Sequence, residues 1–201
     1  MSARPAAPKG ARTAVREDGG STIRGRFEYV TDWRFEAPIE AVWEALADVE
    51  AWPEWWPHVK EVCTVDAGGA DDLGAVRRIR WGSRLPYGFT LEVKTVEVRK
   101  HARLRGAATG DLAGTGLWEL RRDGAGTRLR YTWNLAVHTL WMRIAAPFMA
   151  PVFRWNHEGV MRDGMQGLQR LLARKRCQVS DLTPAFASPT FGGASNEGSA
   201  A

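Results

Sequence analysis

Residues 147–175 read PFMAPVFRWNHEGVMRDGMQGLQRLLARK, from Pro147 to Lys175. At helical spacing His157, Met161, Met165, Leu168 and Leu172 share one face, and Val160, Gly164, Gly167 and Leu171 widen it. Arg154, Arg162, Asp163, Arg170 and Arg174 fall mostly elsewhere. The stretch is therefore a long amphipathic helix. Two features of its apolar stripe stand out. Methionines suit irregular surfaces, and Asn156 and His157 stand near its upper end. Gly164 and Gly167 each cost up to about 1 kcal/mol relative to Ala in a helix interior. That cost implies close approach of another backbone, or space left for something else. A helix of this kind needs a partner surface, and the chain ahead of it must supply one.

The preceding residues alternate as strands do. In Arg26–Glu36, Phe27, Tyr29, Thr31, Trp33 and Phe35 alternate with charged or smaller residues. Ala37-Pro38 breaks the strand. Pro38–Ala47 reads as a helix with an apolar set of Ile39, Val42, Trp43 and Leu46. Asp48–Trp56 is a second short helix or turn carrying Trp52, Trp55 and Trp56. Strands follow at Val59–Asp66, Ala75–Trp81, Gly88–Arg99, His101–Ala107 and Asp111–Arg122. The last begins after Asp123-Gly124, with Leu129, Tyr131, Trp133, Leu135 and Val137 on one side. A phase shift after Val93 predicts a bulge near Thr95. Short connections favour an antiparallel sheet with one wet face. The other face needs a cover, and only the long helix is large enough. The expected class is α+β, with a ligand pocket between a curved sheet and the helix.

The 44% hydrophobic and 25% charged content is that of a globular chain. Ten tryptophans imply a large apolar core or cavity wall. Net charge is +5, but Arg4, Lys9, Arg12, Arg16, Arg24 and Arg26 against Glu17 and Asp18 put +4 of it in residues 1–26. The organisation expected is a disordered basic arm over 1–25, one domain over 26–177 and a disordered tail over 178–201. No basic run with interleaved aromatics lies on one element, so no specific nucleic-acid partner is expected. The basic arm leaves transient membrane contact open. Cys63 and Cys177 lack zinc or redox spacing, and no secretory signal opens the chain, so a cytoplasmic setting and no metal or cofactor are expected.

The stretches WRFEAPIEAVWEALADVEAWPEWWPHV (33–59), GDLAGTGLWEL (110–120), GTRLRYTW (126–133) and APFMAPVFRWNHEGVMRDGMQGLQRLL (146–172) together resemble the START-like, or Bet v 1-like (SRPBCC), superfamily. The nearest branch is that of bacterial polyketide cyclase/dehydrase and lipid-transport proteins. The resemblance covers about Arg26 to Arg176. It implies a helix-grip fold: a seven-stranded antiparallel sheet around the C-terminal helix, with two short helices between strands 1 and 2. It also implies a cavity for lipid-, sterol- or polyketide-like molecules, while leaving catalysis open.

Candidate residues follow from the inward set. Tyr29, Trp33, Trp81, Phe89, Leu91, Trp118, Tyr131, Trp133, His157, Met161 and Met165 are the expected ligand-binding surface. His157, Tyr131 and Arg80 are the catalytic candidates. A histidine titrates near neutral pH, and a desolvated guanidinium on Arg80 would hold a carboxylate or carbonyl. The phase of Arg78 and Arg80 is ambiguous, with Arg77 of opposite parity. The competing reading of His157 is a hydrogen-bonded core residue. His58, His101 and His138 sit at element ends and are expected to be solvated. Gly110, Gly114 and Gly116 lack the context of a phosphate loop, and Ser83 lacks that of a nucleophile elbow. Three functions compete: a binder or transporter of a hydrophobic molecule, a polyketide cyclase-like dehydratase, and a partner-binding module. Ligand access is expected near Ser83–Gly88 and the start of the long helix.

Overall fold

The computed structural model describes residues 12–14, 26–83, 88–136 and 140–181. The expected basic arm outside 12–14 and the tail beyond 181 lie outside these residues. So do the access segment 84–87 and residues Val137 and His138.

The element order is β1 (Arg12–Ala14), β2 (Arg26–Phe35), α1 (Ile39–Ala47), α2 (Trp52–Trp55), β3 (Val59–Asp66), β4 (Val76–Gly82), β5 (Gly88–Arg99), β6 (Arg103–Gly110), β7 (Ala113–Asp123), β8 (Gly126–Ala136) and α3 (Leu140–Asp181). A 3-10 turn over Val49–Ala51 joins α1 to α2. The sheet order is β1-β2-β8-β7-β6-β5-β4-β3, antiparallel throughout. The seven expected strands, the two short helices and the curved sheet with its long helix are all present. An eighth strand, β1, lies within the span read as a disordered arm and pairs Arg12 with Asp32. Three residues carry no periodicity to read.

The ladder shows why the alternation was informative. Trp33 pairs with Leu129 across β2 and β8, and Trp118 with Tyr131 across β7 and β8, so apolar neighbours share the concave face. The expected bulge falls between Thr95 and Glu97. The β5–β6 turn carries His101 at a φ of 59°, which shifts the start of β6 to Arg103. His101 is not simply solvated, since its ring stands edge-on to Trp43 with centroids 6.0 Å apart.

The helix α3 starts at Leu140, ahead of the expected Pro147, and runs to Asp181, past the expected edge at 177. Pro147 and Pro151 lie inside it; each removes a backbone donor without ending the helix. No helix of the described residues is long and apolar enough to cross a membrane.

The core gathers Trp33, Phe35, Leu46, Trp56, Leu129 and Leu168, all buried. Each such apolar side chain contributes roughly 1.5–3 kcal/mol by leaving water. Polar bonds fix the geometry. Trp56 Nε1 donates to the Val160 carbonyl of α3 at 2.9 Å, and Trp52 Nε1 to the Leu46 carbonyl at 3.1 Å. The Thr127 hydroxyl donates to the Ala37 carbonyl at 2.7 Å, tying the start of α1 to β8. His58, expected to be solvated, is instead 13% exposed and lies 2.9 Å from Asp163 of α3.

Candidate functional site

On β4 the chain alternates Arg77, Ile79 and Trp81 with Arg78 and Arg80. Ile79 is 2% exposed and Arg77 6%. The side chains of Arg78 and Arg80 are 55% and 58% exposed. Arg78 pairs with Glu92 at 2.8 Å and Arg80 with Glu61 at 3.0 Å, both on the outer face. Arg80 is therefore corrected from an inward candidate to a surface residue, and the inward guanidinium belongs to Arg77. The signal was available: Ile79 and Trp81 share parity with Arg77, so a strand that buries them buries it too.

Arg77 donates from Nε to Glu50 Oε1 at 2.7 Å and from a terminal nitrogen to Asp72 Oδ2 at 3.0 Å. Burial pushes the Glu50 carboxyl up, but bonds from Arg77 and the Thr64 hydroxyl outweigh it and hold it below its ordinary range. Burial opposes the charge on Arg77 in turn, and its two carboxylates still raise its affinity for its proton. The result is a buried cation held on two partly exposed anions.

Arg77 lines a cavity of about 90 Å³ on the concave side of the sheet. Trp81, Leu91, Trp118, Tyr131 and Trp133 of the expected ligand surface line it, with Val49 and Trp52 from the turn and start of α2. Tyr131 stacks on Trp118 with centroids 4.0 Å apart. Burial pushes its phenol well above its usual range, so it remains a neutral donor and acceptor. Gly116 is what lets it lie there: a Cβ at Gly116 would meet the Tyr131 hydroxyl at 2.8 Å. The Trp81 indole N–H is buried with no hydrogen-bond partner among the described residues.

The remaining candidates lie off this lining. Trp33 is core, 5.5 Å from Trp118 and 5.9 Å from Trp56 between ring centroids. Phe89 stacks on Trp81 at 6.4 Å. Met161 is buried in the core and Met165 packs against it. Among the described residues no side chain of α3 lines the cavity; its described walls are the strands and the segment before β3. The α3 stripe is occupied by packing on tryptophans instead. A Cβ at Gly164 would lie 2.4 Å from the Trp56 ring, and one at Gly167 would lie 1.7 Å from the Trp55 carbonyl.

His157 forms a separate cluster, its ring 4.7 Å from Tyr29 and 5.7 Å from Trp133 between centroids. Burial lowers its pKa to about 4, so the imidazole is neutral at pH 7. Its Nε2 is buried without a hydrogen-bond partner among the described residues. Burial pushes the Tyr29 phenol up, with Arg154 opposing. This arrangement packs aromatic rings around an imidazole that burial has made a weak base. Nor do three His, Cys, Asp or Glu side chains gather as a metal set among them.

A profile of the family described as polyketide cyclase / dehydrase and lipid transport matches residues 26–173. Among solved structures, the Zhui aromatase/cyclase from Streptomyces sp. R1128 superposes with a TM-score of 0.64 at 14% identity, covering 75% of this chain and 96% of that one. A START superfamily protein from Mycobacterium smegmatis gives 0.61 at 13% identity, covering 74% and 98%. At such identities the likeness is one of fold. The abscisic acid receptor PYL6 of Arabidopsis thaliana is 39% identical over 57 residues, 28% of this chain. That match spans 26% of the receptor's length.

Proposed function

We propose a ligand-binding role for this chain, which belongs to the polyketide cyclase/dehydrase and lipid transport family: it holds a hydrophobic, ring-bearing small molecule against the aromatic wall of the cavity. One observation carries the reading. Trp81, Trp118, Tyr131 and Trp133 converge on a hollow also lined by the buried guanidinium of Arg77, an aromatic wall with a cation against it. The Trp81 N–H and the Tyr131 hydroxyl add hydrogen-bonding groups to the same wall. The naming of one relative as a receptor for a small molecule, abscisic acid, is in keeping with this role.

The cavity of about 90 Å³ is smaller than the ~150 Å³ engineered cavity that admits benzene. A guest of lipid or polyketide size therefore enters by displacing wall side chains.

A cyclase-like dehydratase is the second reading, favoured by the aromatase/cyclase name of one structural neighbour and by the unpartnered Nε2 of His157. The lowered pKa of His157, about 4, weighs against it, because enolising a ketone needs a base that holds a proton well and a desolvated imidazole of that pKa holds one weakly.

Native mass spectrometry of protein purified without denaturation tests the role. The expected result is a bound molecule of a few hundred daltons, depleted in Ala108→Phe, which fills the wall. An empty protein that also fails to bind naphthalene-based probes overturns the reading. Turnover of a poly-β-ketone surrogate, lost at least ~100-fold in His157→Ala, would install the second one.

A further inference from the structure

A second hollow, of about 490 Å³, lies outside the first, between α1, the loop after β3 and the β5–β6 turn. Its floor is apolar, with Trp43, Ala47 and Val98, and Glu44, Asp71 and Lys100 stand on its rim. The two hollows share Val49, Arg77, Thr95 and Leu104. These four side chains form a neck, and Arg77 is the only charged one among them.

What holds Arg77 across the neck is exposed and local. Glu50 belongs to the short 3-10 turn, and its side chain is 45% exposed. Asp72 lies in the loop between β3 and β4, and its side chain is 50% exposed. That loop is stitched to β5 at its far end, where Gly74 N–H donates to the Thr95 carbonyl at 2.8 Å. Its outer residues Asp71 and Asp72 have φ of 54° and 61°, a conformation uncommon for residues other than glycine. The carboxylate ends of these two bonds reach solvent, so another acceptor oxygen can take the place of either one on the guanidinium.

We propose that the outer hollow is a holding site and second mouth for the ligand of the inner cavity, and that Arg77 passes from Asp72 and Glu50 to an acceptor oxygen of that ligand. The ligand class is then an apolar or aromatic body bearing a carbonyl or carboxylate oxygen. The oxygen sits at the neck, where a guanidinium with five N–H donors has capacity beyond its two carboxylate bonds. Swinging Arg77 aside joins the hollows, which supplies the space that the inner cavity alone lacks. The inference deepens the ligand-binding reading and rests on it.

The route is tested without a ligand. A thiol is placed on the inner wall as Ala108→Cys, in a chain whose exposed Cys63 and Cys177 are replaced by serine. Its modification by 2-aminoethyl methanethiosulfonate is followed by mass. Asp72→Asn is expected to raise the rate at least tenfold, and Ala47→Trp, which fills the outer hollow, to lower it at least tenfold. Glu61→Gln, which loosens only the outer-face pair with Arg80, leaves it unchanged. Thr95→Cys, a thiol on the neck itself, provides the same readout if the first variant folds poorly. Rates indifferent to Asp72 and Ala47 overturn the route. The ligand class is tested with 2-acetylnaphthalene against 2-ethylnaphthalene, its partner without the oxygen. The ketone is expected to bind at least tenfold tighter, with the difference lost in Arg77→Met. Equal binding of the two overturns the class. Binding of neither, with thiol rates as expected, overturns the ligand-binding reading and leaves the route standing.

Discussion

Gly167 of α3 lies against the backbone of Trp55: a Cβ built on this glycine would stand 1.7 Å from the Trp55 carbonyl oxygen. The short α2 helix and the long helix meet at this point with no side chain between them. Gly164, one turn earlier, receives the Trp56 indole in the same way, at 2.4 Å. Gly167→Ala is therefore expected to destabilise the protein by about 2 kcal/mol or more, although alanine favours a helix by up to ~1 kcal/mol. Gly164→Ala costs less, because a ring yields more easily than backbone. Urea unfolding of the two variants checks the order, and a stabilised Gly167→Ala would contradict the packing.

Trp56 Nε1 donates to the Val160 carbonyl across the same junction, from a side chain 1% exposed. Trp56→Phe keeps most of the ring and removes the bond. A loss of about 1–2 kcal/mol is expected, from the missing bond and some lost packing. Equilibrium denaturation measures it, and a change under half a kcal/mol would show the bond to be dispensable.

His157 makes stability depend on pH in a defined window. Its pKa in the fold is about 4, below its ordinary 6.5, because burial disfavours the charged ring. Below 6.5 the unfolded chain binds a proton that the folded chain refuses. Stability is thus full above pH ~6.5 and falls as the pH drops toward 4, by about 3 kcal/mol in all. His157→Phe should lose this slope. Parallel pH profiles of the wild-type and variant proteins, measured by urea midpoint between pH 7 and 4.5, would refute the assignment.

The Arg77 cluster predicts an asymmetry. Removing both partners, as Glu50→Gln with Asp72→Asn, leaves a buried guanidinium without anions and is expected to cost roughly 2–3 kcal/mol, discounted for the exposure of the carboxylates. Arg77→Met, of similar length and apolar, is expected to cost less than that. Thermal unfolding of the two variants gives the comparison. A greater loss in Arg77→Met would mean that the ion pairs, not the fill of the neck, matter for stability.

The architecture was legible because its signals are local and periodic. Alternation in Arg26–Phe35 and Gly126–Ala136, the bulge at Thr95 and the stripe from His157 to Leu172 each depend on neighbours within a few residues. The glycines of α3 announced a close backbone without naming it; Trp55 lies more than a hundred positions away. Arg77 was readable in principle from Ile79 and Trp81, yet Arg78 and Arg80 blurred the phase, since three arginines in four positions look alike to a period-two test. His58 escaped because its partner, Asp163, is remote in the chain.

By itself the sequence determined the order of elements, the antiparallel sheet and the amphipathic helix, since backbone sterics and side-chain periodicity act over short spans. Only the tertiary structure decided which carboxylates Arg77 pairs with, that the α3 glycines receive Trp55 and Trp56, and which strands wall the hollow. Those outcomes depend on which surfaces meet when distant segments pack together, and contact between remote residues leaves no period in a linear chain.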